Sequence, residues 1–362
     1  MSGAICSSVG RLNVKWGRIC KRCTAKLTYS TQERIELHPP KYSTADVFRN
    51  IQNVLNTDSA LLRDISHYHF NGLGKAVRPT IILTAAQAFN YDSSRGSRWT
   101  ATQEQLVVAM VAEMIHTASL VHDDIIDESL SRRGNPSAFA RWGQLQGTIT
   151  GDYIMSTASL HLSRLRHNRV MQLMSQILED LVQGEFMQLG TKANEDERFN
   201  HYIEKSYRKT ASLLANSCQA VSLIPFFVYT WAEDKIKLAY EYGKNLGILF
   251  QLVDDALDYE STEQDMGKPT GADLKLGLAT APVLFAAHEF PRLNSLILRR
   301  FSQDGDVEEA LHLVKQSCGL EQTRSLASRY GKKAIRVISD IRESEHSHKL
   351  IEYVQQLLDR TK

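Results

Sequence analysis

Apolar residues recur every three to four positions along almost the whole chain after residue 45, and the alternation typical of strands is nearly absent. This pattern predicts a succession of helices and an all-α fold. The predicted helices span residues 46–70, 78–91, 101–127, 137–166, 168–191, 197–223, 234–259, 272–288, 306–330 and 330–359.

No linker rich in proline, glycine or serine interrupts the helical region, and its composition does not change along its length. We therefore predict a leader over residues 1–40 and one large helical domain over residues 41–362. Longer loops are expected at 91–99, 128–136 and 260–271. The last two follow acidic motifs, where an active site would be covered by mobile chain.

The first 31 residues carry six basic side chains, seven serines and threonines, and no acidic residue. This composition is typical of a mitochondrial targeting segment, and a basic tail without a targeting role is the alternative. Without this segment, 37 basic residues face 41 acidic ones, a net charge of −4. The charge of the remaining chain therefore gives no support to a nucleic-acid partner.

The sequence shows no uninterrupted run of the ~18 apolar residues that cross a bilayer. Its most hydrophobic short segment, residues 223–231, contains a proline and forms either a buried loop or a peripheral membrane contact. Cys218 and Cys318 stand alone in predicted helices. A disulfide framework is therefore not expected, which suits a reducing compartment.

Two aspartate triplets with the same spacing, i, i+1 and i+4, each end a long apolar helix. They are Asp123, Asp124 and Asp127, and then Asp254, Asp255 and Asp258. Because a helix turns about 100° per residue, the first and third members of a triplet lie one turn apart on one face. Their charges repel each other near the negative end of the helix dipole, so the arrangement favours a bound cation.

Oxygen ligands of this kind suit Mg²⁺, which keeps several waters and accepts phosphate oxygens as further ligands. Two such clusters on different helices could face each other across a cavity and hold a diphosphate through metal ions. Solvated charge at two helix ends is the alternative, but a repeated all-aspartate match is hard to attribute to chance.

Basic residues near these clusters are candidate anion ligands. Lys75 and Arg78 flank a helix start that follows two glycines, which would form a cradle for an anion. His116 lies seven residues before Asp123, on nearly the same helix face, and is a candidate phosphate donor. The other candidates are Arg132, Arg133, Lys209 and Lys268.

These motifs resemble, in order, those of the trans-polyprenyl diphosphate synthases, from about residue 45 to the C-terminus. The matching motifs are Gly74-Lys75-Ala76-Val77-Arg78-Pro79, both aspartate clusters, Arg132-Arg133, Lys209-Thr210, Phe250-Gln251 and Gly267-Lys268-Pro269-Thr270. Residues 184–186, 209–217 and 273–280 look especially like the decaprenyl diphosphate synthases that make the ubiquinone side chain in mitochondria.

The resemblance implies a helical bundle of the isoprenoid synthase type around a central cavity, with Mg²⁺ as cofactor. It implies that Asp123, Asp127 and Asp254 bind the metal, with Asp124, Asp255 and Asp258 binding it or supporting its ligands. It implies that the allylic diphosphate, farnesyl or geranylgeranyl diphosphate, is held by Arg132, Lys209, Thr210, Gln251 and Lys268. It implies that isopentenyl diphosphate is held by Lys75, Arg78, His116 and Arg133.

The growing product is expected to run along the 101–127 helix, away from the metals. Ala118 and Ser119 are small and, with Ile115, would leave this path open for a long chain. A shorter-chain synthase, a terpene cyclase and a non-catalytic subunit are the alternatives. The cyclase needs no second diphosphate site, and the non-catalytic subunit would have lost aspartates. The resemblance implies either a homodimer or assembly with a related subunit, in the mitochondrial matrix or at its inner membrane.

Overall fold

The computed structural model describes residues 42–70, 76–90, 100–132, 134–190, 195–224, 233–260 and 271–360. All of them belong to one compact unit, Pro39–Lys362. The predicted leader, 1–40, lies outside the described residues, as do Lys75, Arg133 and Lys268.

The described chain is a bundle of helices, which confirms the all-α prediction. The helices are α1 Thr44–Val54, α2 Ala60–Tyr68, α3 Val77–Asn90, α4 Gln103–Ile126, α5 Ala138–Ser163, α6 Asn168–Leu189, α7 Glu195–Ser206, α8 Ser212–Ser222, α9 Glu233–Glu260, α10 Ala272–Lys275, α11 Ala281–Glu289, α12 Arg292–Leu298, α13 Asp306–Gln316, α14 Gly319–Ser339 and α15 Glu345–Leu358. A π-helical segment, Tyr207–Ala211, joins α7 to α8.

Helix α4 forms the centre of the bundle and carries the first aspartate cluster at its end. It begins with a capping box, in which Thr102 Oγ1 accepts the Gln105 N–H and Gln105 Oε1 accepts the Thr102 N–H, at 3.2 and 2.9 Å. Gln105 is buried and also donates to the carbonyl of Val221 at 2.7 Å, which joins the start of α4 to α8.

By length and composition, α4 could cross a membrane, although it contains no uninterrupted run of ~18 apolar residues. Of its most apolar 18-residue window, however, 72% is buried inside the protein. This burial accounts for its apolar character, because a helix surrounded by other helices is hydrophobic on all sides. No other described helix meets the same criteria.

The α8–α9 contact brings backbone against backbone. A Cβ atom on Gly243 would lie 2.4 Å from the carbonyl oxygen of Leu214, and one on Gly247 would lie 2.4 Å from Cα of Ala211. Because Gly243 and Gly247 have no side chain, α8 and the π-helical segment can approach α9 closely. The same contact places Thr210 within hydrogen-bonding distance of Gln251, at 2.6 Å.

Several predicted boundaries were wrong. The helix predicted at 46–70 is interrupted between α1 and α2, where the Ser59 hydroxyl accepts the Leu62 N–H and starts a new helix. The helix predicted at 272–288 is also two helices, because Gly277 adopts a left-handed conformation with φ of 76°. The predicted break at residue 330 falls inside α14.

Two elements had not been predicted. Helix α12, which follows Pro291, is only seven residues long. A short antiparallel hairpin pairs β1, Ser131–Arg132, with β2, Asn135–Pro136, after the first aspartate cluster. Both elements are too short to give a clear periodicity.

We expect Gly247→Ala to lower stability, because the added methyl group would meet the backbone of Ala211 and push α9 away. Overpacking of this kind costs about 1–3 kcal/mol, and the melting temperature should fall in thermal unfolding. Gly190→Ala is the matched control, since the nearest atom to its added Cβ would be 3.9 Å away. Equal melting temperatures for the two variants would contradict the close-approach account.

Candidate active site

A cleft of about 760 Å³ opens at the end of α4 and brings most of the described candidate residues together. Helices α3 to α7, α9 and α10, the π-helical segment and β1 all contribute to its walls. Its charged and histidine side chains are Arg78, His116, His122, Asp123, Asp127, Arg132, Glu185, Lys205, Lys209, Asp255 and Asp273.

The first aspartate cluster divides between the cleft and the protein interior. Asp123 and Asp127 line the cleft, as their one-turn spacing predicts. Asp124 is fully buried and accepts hydrogen bonds from Arg132 Nε and Nη2, at 3.0 and 2.5 Å. Asp124 therefore fixes Arg132, which also lines the cleft, and holds the hairpin beside the cluster.

The environment of Asp123 is unfavourable to negative charge. Burial, with a smaller contribution from the nearby charges of Glu185 and Asp127, raises the pKa of Asp123 to about 6, against the opposing charges of Lys209 and Arg132. Burial and the charge of Glu185 also raise the pKa of Asp127. These carboxylates are thus partly desolvated and repelled by a third acid.

The three members of the second cluster occupy three different environments. Asp255 lines the cleft, where its carboxylate accepts hydrogen bonds from the Tyr202 hydroxyl at 2.5 Å and from Gln251 Nε2 at 2.7 Å. Asp258 accepts the backbone N–H groups of the first two residues of α10, at 3.1 and 3.2 Å. Asp258 thus anchors the start of that helix.

Asp254 is turned toward the C-terminal end of the chain. Its carboxylate forms an ion pair with Arg360, with Nη1 and Oδ1 2.5 Å apart, and Asp254 is not among the residues that line the cleft. The Arg360 guanidinium also lies 5.7 Å from the ring centre of Phe250, and the guanidinium of Arg78 lies 5.8 Å from the same ring. The two triplets therefore have the same spacing but different geometry.

The cations of the cleft are held by neighbouring polar side chains. Lys209 forms an ion pair with Glu185, and its ammonium lies 3.1 Å from Gln188 Oε1. Thr210 donates to Gln251 Oε1 at 2.6 Å. Arg78 and His116 line the cleft as well.

Comparison with known proteins now defines the family. Residues 59–314 match the model of the polyprenyl synthetase family. The chain belongs to this family. It is 48% identical over 318 residues to a human protein named all trans-polyprenyl-diphosphate synthase PDSS1, covering 87% of this chain and 75% of the relative.

Solved structures of prenyl synthases have the same fold. The heptaprenyl diphosphate synthase of Staphylococcus aureus superposes with a TM-score of 0.79 at 27% identity, covering 89% of this chain and 100% of that one. The polyprenyl synthase of Caulobacter crescentus, solved with calcium and isoprenyl diphosphate, gives a TM-score of 0.77 at 28% identity, covering 88% and 94%.

The cleft residues of this polyprenyl synthetase suit a hydrated divalent cation rather than a fully enclosed one. Among the described residues, no three histidine, cysteine or acidic side chains are arranged so that they could hold a metal ion by themselves. Asp123 and Asp127 supply two carboxylates whose repulsion a cation would relieve. A metal held by them would take its remaining ligands from water and phosphate, which is the preference of Mg²⁺.

The apolar wall of the cleft differs from the wall we predicted. Ser119 lines the cleft, but Ala118 and Ile115 are buried in the core behind it. Most of the exposed apolar lining comes instead from α5 and α6, namely Met155, Leu178, Leu181, Val182 and Phe186. The predicted path followed α4 alone because that helix carries the first aspartate cluster.

Several polar residues of the cleft were also missed. Tyr202 and Lys205 precede Lys209 by seven and four residues, so a search for polar residues along one helix face would have found them. Glu185 belongs to a segment that we used only for its resemblance. Asp273 likewise begins a segment that we used only for its resemblance, and it reaches the cleft through the turn that Asp258 anchors.

We expect Asp123→Asn to stabilise the metal-free protein at about pH 7.5. The folded chain holds the Asp123 proton more tightly than the unfolded chain between pH 3.8 and about 6. Above that window the ionised carboxylate destabilises the fold, by on the order of 2 kcal/mol. The gain from asparagine should therefore shrink as pH falls through 6 and vanish below about pH 4.

Thermal unfolding after treatment with a chelator measures this effect. Asp304→Asn, which changes an exposed aspartate outside the cleft, is the control and should leave the melting temperature unchanged. A lower melting temperature for Asp123→Asn than for the wild type at about pH 7.5 would show that this carboxylate is not electrostatically disfavoured.

Proposed function

We propose that this chain is a Mg²⁺-dependent prenyltransferase. It condenses an allylic diphosphate, farnesyl or geranylgeranyl diphosphate, with successive isopentenyl diphosphate units. The product is a long-chain all-trans polyprenyl diphosphate for the ubiquinone side chain. The main support for this proposal is that one cleft combines the mutually repelling carboxylates of Asp123 and Asp127, several cations and an apolar wall. The name of the human relative supports this product class.

Asp123 and Asp127 would hold Mg²⁺, with Asp254 joining them after separation from Arg360. Bound Mg²⁺ neutralises charge on the allylic diphosphate and so favours its departure as a leaving group. Arg132, fixed by Asp124, would orient the same diphosphate. Lys209 would exchange Glu185 for a phosphate oxygen as the substrate arrives.

Arg78 and His116, which also line the cleft, would position isopentenyl diphosphate. Lys75 and Arg133, which lie outside the described residues, would take part in the same contact. The C–O bond of the allylic substrate would break and release diphosphate, and the alkene of isopentenyl diphosphate would attack the resulting carbocation. The released diphosphate would accept the proton that leaves the new chain. The apolar side chains of α5 and α6 would exclude water, which would otherwise capture the cation.

The decisive experiment incubates the purified chain with Mg²⁺, radiolabelled isopentenyl diphosphate and farnesyl diphosphate, and sizes the products by chromatography. Extension by several units supports the proposal, whereas a single cycle or a few cycles indicates a shorter-chain synthase. Activity that appears only after co-expression with a related subunit indicates a hetero-oligomer. A cyclic hydrocarbon or a lack of condensation under every condition would refute the proposal.

We expect Ala118→Phe to shorten the product, because a ring at this buried position would displace Ser119 and the adjoining wall into the cleft. Chromatography of the dephosphorylated products measures the change. Ala118→Ser, a far smaller change at the same site, should keep the wild-type product length. An unchanged product distribution in a folded Ala118→Phe enzyme would refute this course for the growing chain.

The exposed face of α5 supports a further part of the proposal, assembly with a second copy of this chain. Leu145, Ile149 and Leu160 lie along one face of the helix and are 66%, 52% and 52% exposed. Polar residues, Asp152, Ser156 and Ser159, lie between them, and Asp152 Oδ1 is 3.5 Å from His122 Nε2. A face of this kind can pack against its own copy around a two-fold axis, while α4 covers the other side of α5.

We therefore expect the double variant Leu145→Glu/Ile149→Glu to be monomeric, because burying two carboxylates in an apolar contact is unfavourable. Light scattering coupled to gel filtration measures the mass. Leu298→Glu changes an equally exposed leucine on α12 and should leave the wild-type mass unchanged. A wild-type monomer that dimerises only with a related subunit would favour the hetero-oligomer instead.

The basic composition of the predicted leader supports a mitochondrial location. A fusion of residues 1–40 to a fluorescent protein should enter mitochondria, and a cytosolic distribution would contradict the proposal. Residues 225–232, which include most of the segment considered for membrane contact, lie outside the described residues.

A further inference from the structure

A second, smaller cavity adjoins the cleft and has no part in the function proposed above. Its volume is about 50 Å³, and it lies between α7, the end of α6 and the chain after α10. Gln188, Tyr202, Lys205 and Leu278 line both spaces, so the two are neighbours across these side chains. We refer to the smaller space as the annex.

The wall of the annex that α7 provides is basic. Arg198, His201 and Lys205 follow one another at intervals of three and four residues, which places them along one face of the helix. Among the described residues that line the annex, none is acidic. Asp255 and Asp273, the nearby acids, line the cleft instead.

Two of these basic side chains, those of Arg198 and Lys205, are largely removed from solvent. Arg198 is only 6% exposed, and its Nη1 donates to Asn294 Oδ1 at 2.7 Å, which fixes the guanidinium. Lys205 stands at the junction of the annex and the cleft, with its ammonium 5.9 Å from the centre of the Tyr202 ring. Among the described residues, Lys205 forms no ion pair, and the carboxylate of nearby Asp255 accepts hydrogen bonds from Tyr202 and Gln251.

The position of Lys205 leaves its charge poorly compensated. Burial lowers the pKa of the Lys205 ammonium, and the charges of Asp255 and Asp273 only partly oppose this effect. A partly desolvated ammonium of this kind gains from a bound anion, which restores the electrostatic stabilisation that water provided.

The size of the annex limits what it can bind. A water molecule needs about 10–15 Å³ of such space, so about 50 Å³ holds three or four waters or one small oxyanion. A single phosphate group fits, and a prenyl chain does not. The ligand should therefore present a terminal phosphate and have its remaining atoms in the cleft.

We propose that the annex binds one phosphate group of inorganic pyrophosphate and serves as a departure site for this product. The inference rests on the proposed function, in which pyrophosphate is released beside Lys209. Lys205 lies four residues before Lys209, and both line the cleft. Once the bond to the prenyl chain is broken, pyrophosphate is free to pass from Lys209 to Lys205, away from Asp123 and Asp127.

Chemical labelling of lysines tests the site directly, without catalysis. The full chain, treated with a chelator, is exposed briefly to acetic anhydride with and without inorganic pyrophosphate, and acetylation is quantified at each lysine by mass spectrometry. Pyrophosphate at about ten times its Kd should slow acetylation of Lys205 roughly tenfold, because about nine-tenths of the sites are then occupied.

Lys333 provides the matched control within the same molecule. It lies three residues after a tyrosine, as Lys205 does, and its ammonium is 4.9 Å from the Tyr330 ring, but it lines neither the cleft nor the annex. Its acetylation should not change. Inorganic phosphate, which can fill the annex without reaching Lys209, should protect Lys205 alone. Protection of Lys209 with no protection of Lys205 would overturn the proposal.

Kinetics distinguishes a departure site from a site for the substrate's own phosphate. In Lys205→Met, the inhibition constant of pyrophosphate should rise roughly tenfold, and the KM for farnesyl diphosphate should rise much less. Lys205→Arg should restore inhibition, and Lys333→Met should match the wild type. Parallel increases in both constants would assign the annex to the substrate and overturn the departure role.

The labelling result also separates this inference from the proposed function. A wild-type chain that shows pyrophosphate protection at Lys205 but no condensation would refute the enzymatic proposal and retain the anion site. A chain that condenses its substrates without protection at Lys205 would refute the annex alone.

Discussion

The site depends on negative charge at the C-terminal end of a helix, where the helix dipole disfavours it. Asp123 and Asp127 lie at the C-terminal end of α4, partly removed from water and close to Glu185. The helix dipole, the desolvation and the neighbouring acid all disfavour their ionised forms. Nearby positive charges partly offset this effect. Among the described residues they come from Arg132, which forms an ion pair with Asp124, and Lys209, which forms one with Glu185. A metal–diphosphate complex would resolve it further, since it adds positive charge between the carboxylates.

Helix packing keeps this unfavourable arrangement in place. Most of helix α4 before its final turn is buried among apolar side chains, so the turn that carries Asp123 and Asp127 is anchored to the core. The close approach at Gly243 and Gly247 similarly holds the π-helical segment against α9. That contact positions Lys209 and Thr210 opposite the first cluster. The stability of the bundle thus offsets the electrostatic cost of the site.

Much of this arrangement follows from local sequence, and the exceptions have a common cause. The long helices and the paired orientation of Asp123 and Asp127 were predictable, because periodicity and a spacing of four residues determine them. The separate environments of Asp254, Asp255 and Asp258 were not. Asp254 pairs with a residue 106 positions away, and Asp255 with one 53 positions away. Such contacts depend on tertiary packing, which the spacing of a motif does not encode. The apolar wall from α5 and α6 was missed for the same reason.

The ion pair between Asp254 and Arg360 has a practical consequence for handling this protein. Arg360 lies just after the last described helix, α15, and its carbonyl accepts a bond from Arg324 at 3.3 Å. A purification tag fused directly after Lys362 would begin three residues after Arg360, whose guanidinium contacts Asp254 of the second aspartate cluster. A polyhistidine tag there would add metal-binding groups beside the second aspartate cluster. Tags are better placed ahead of the compact unit that begins at Pro39.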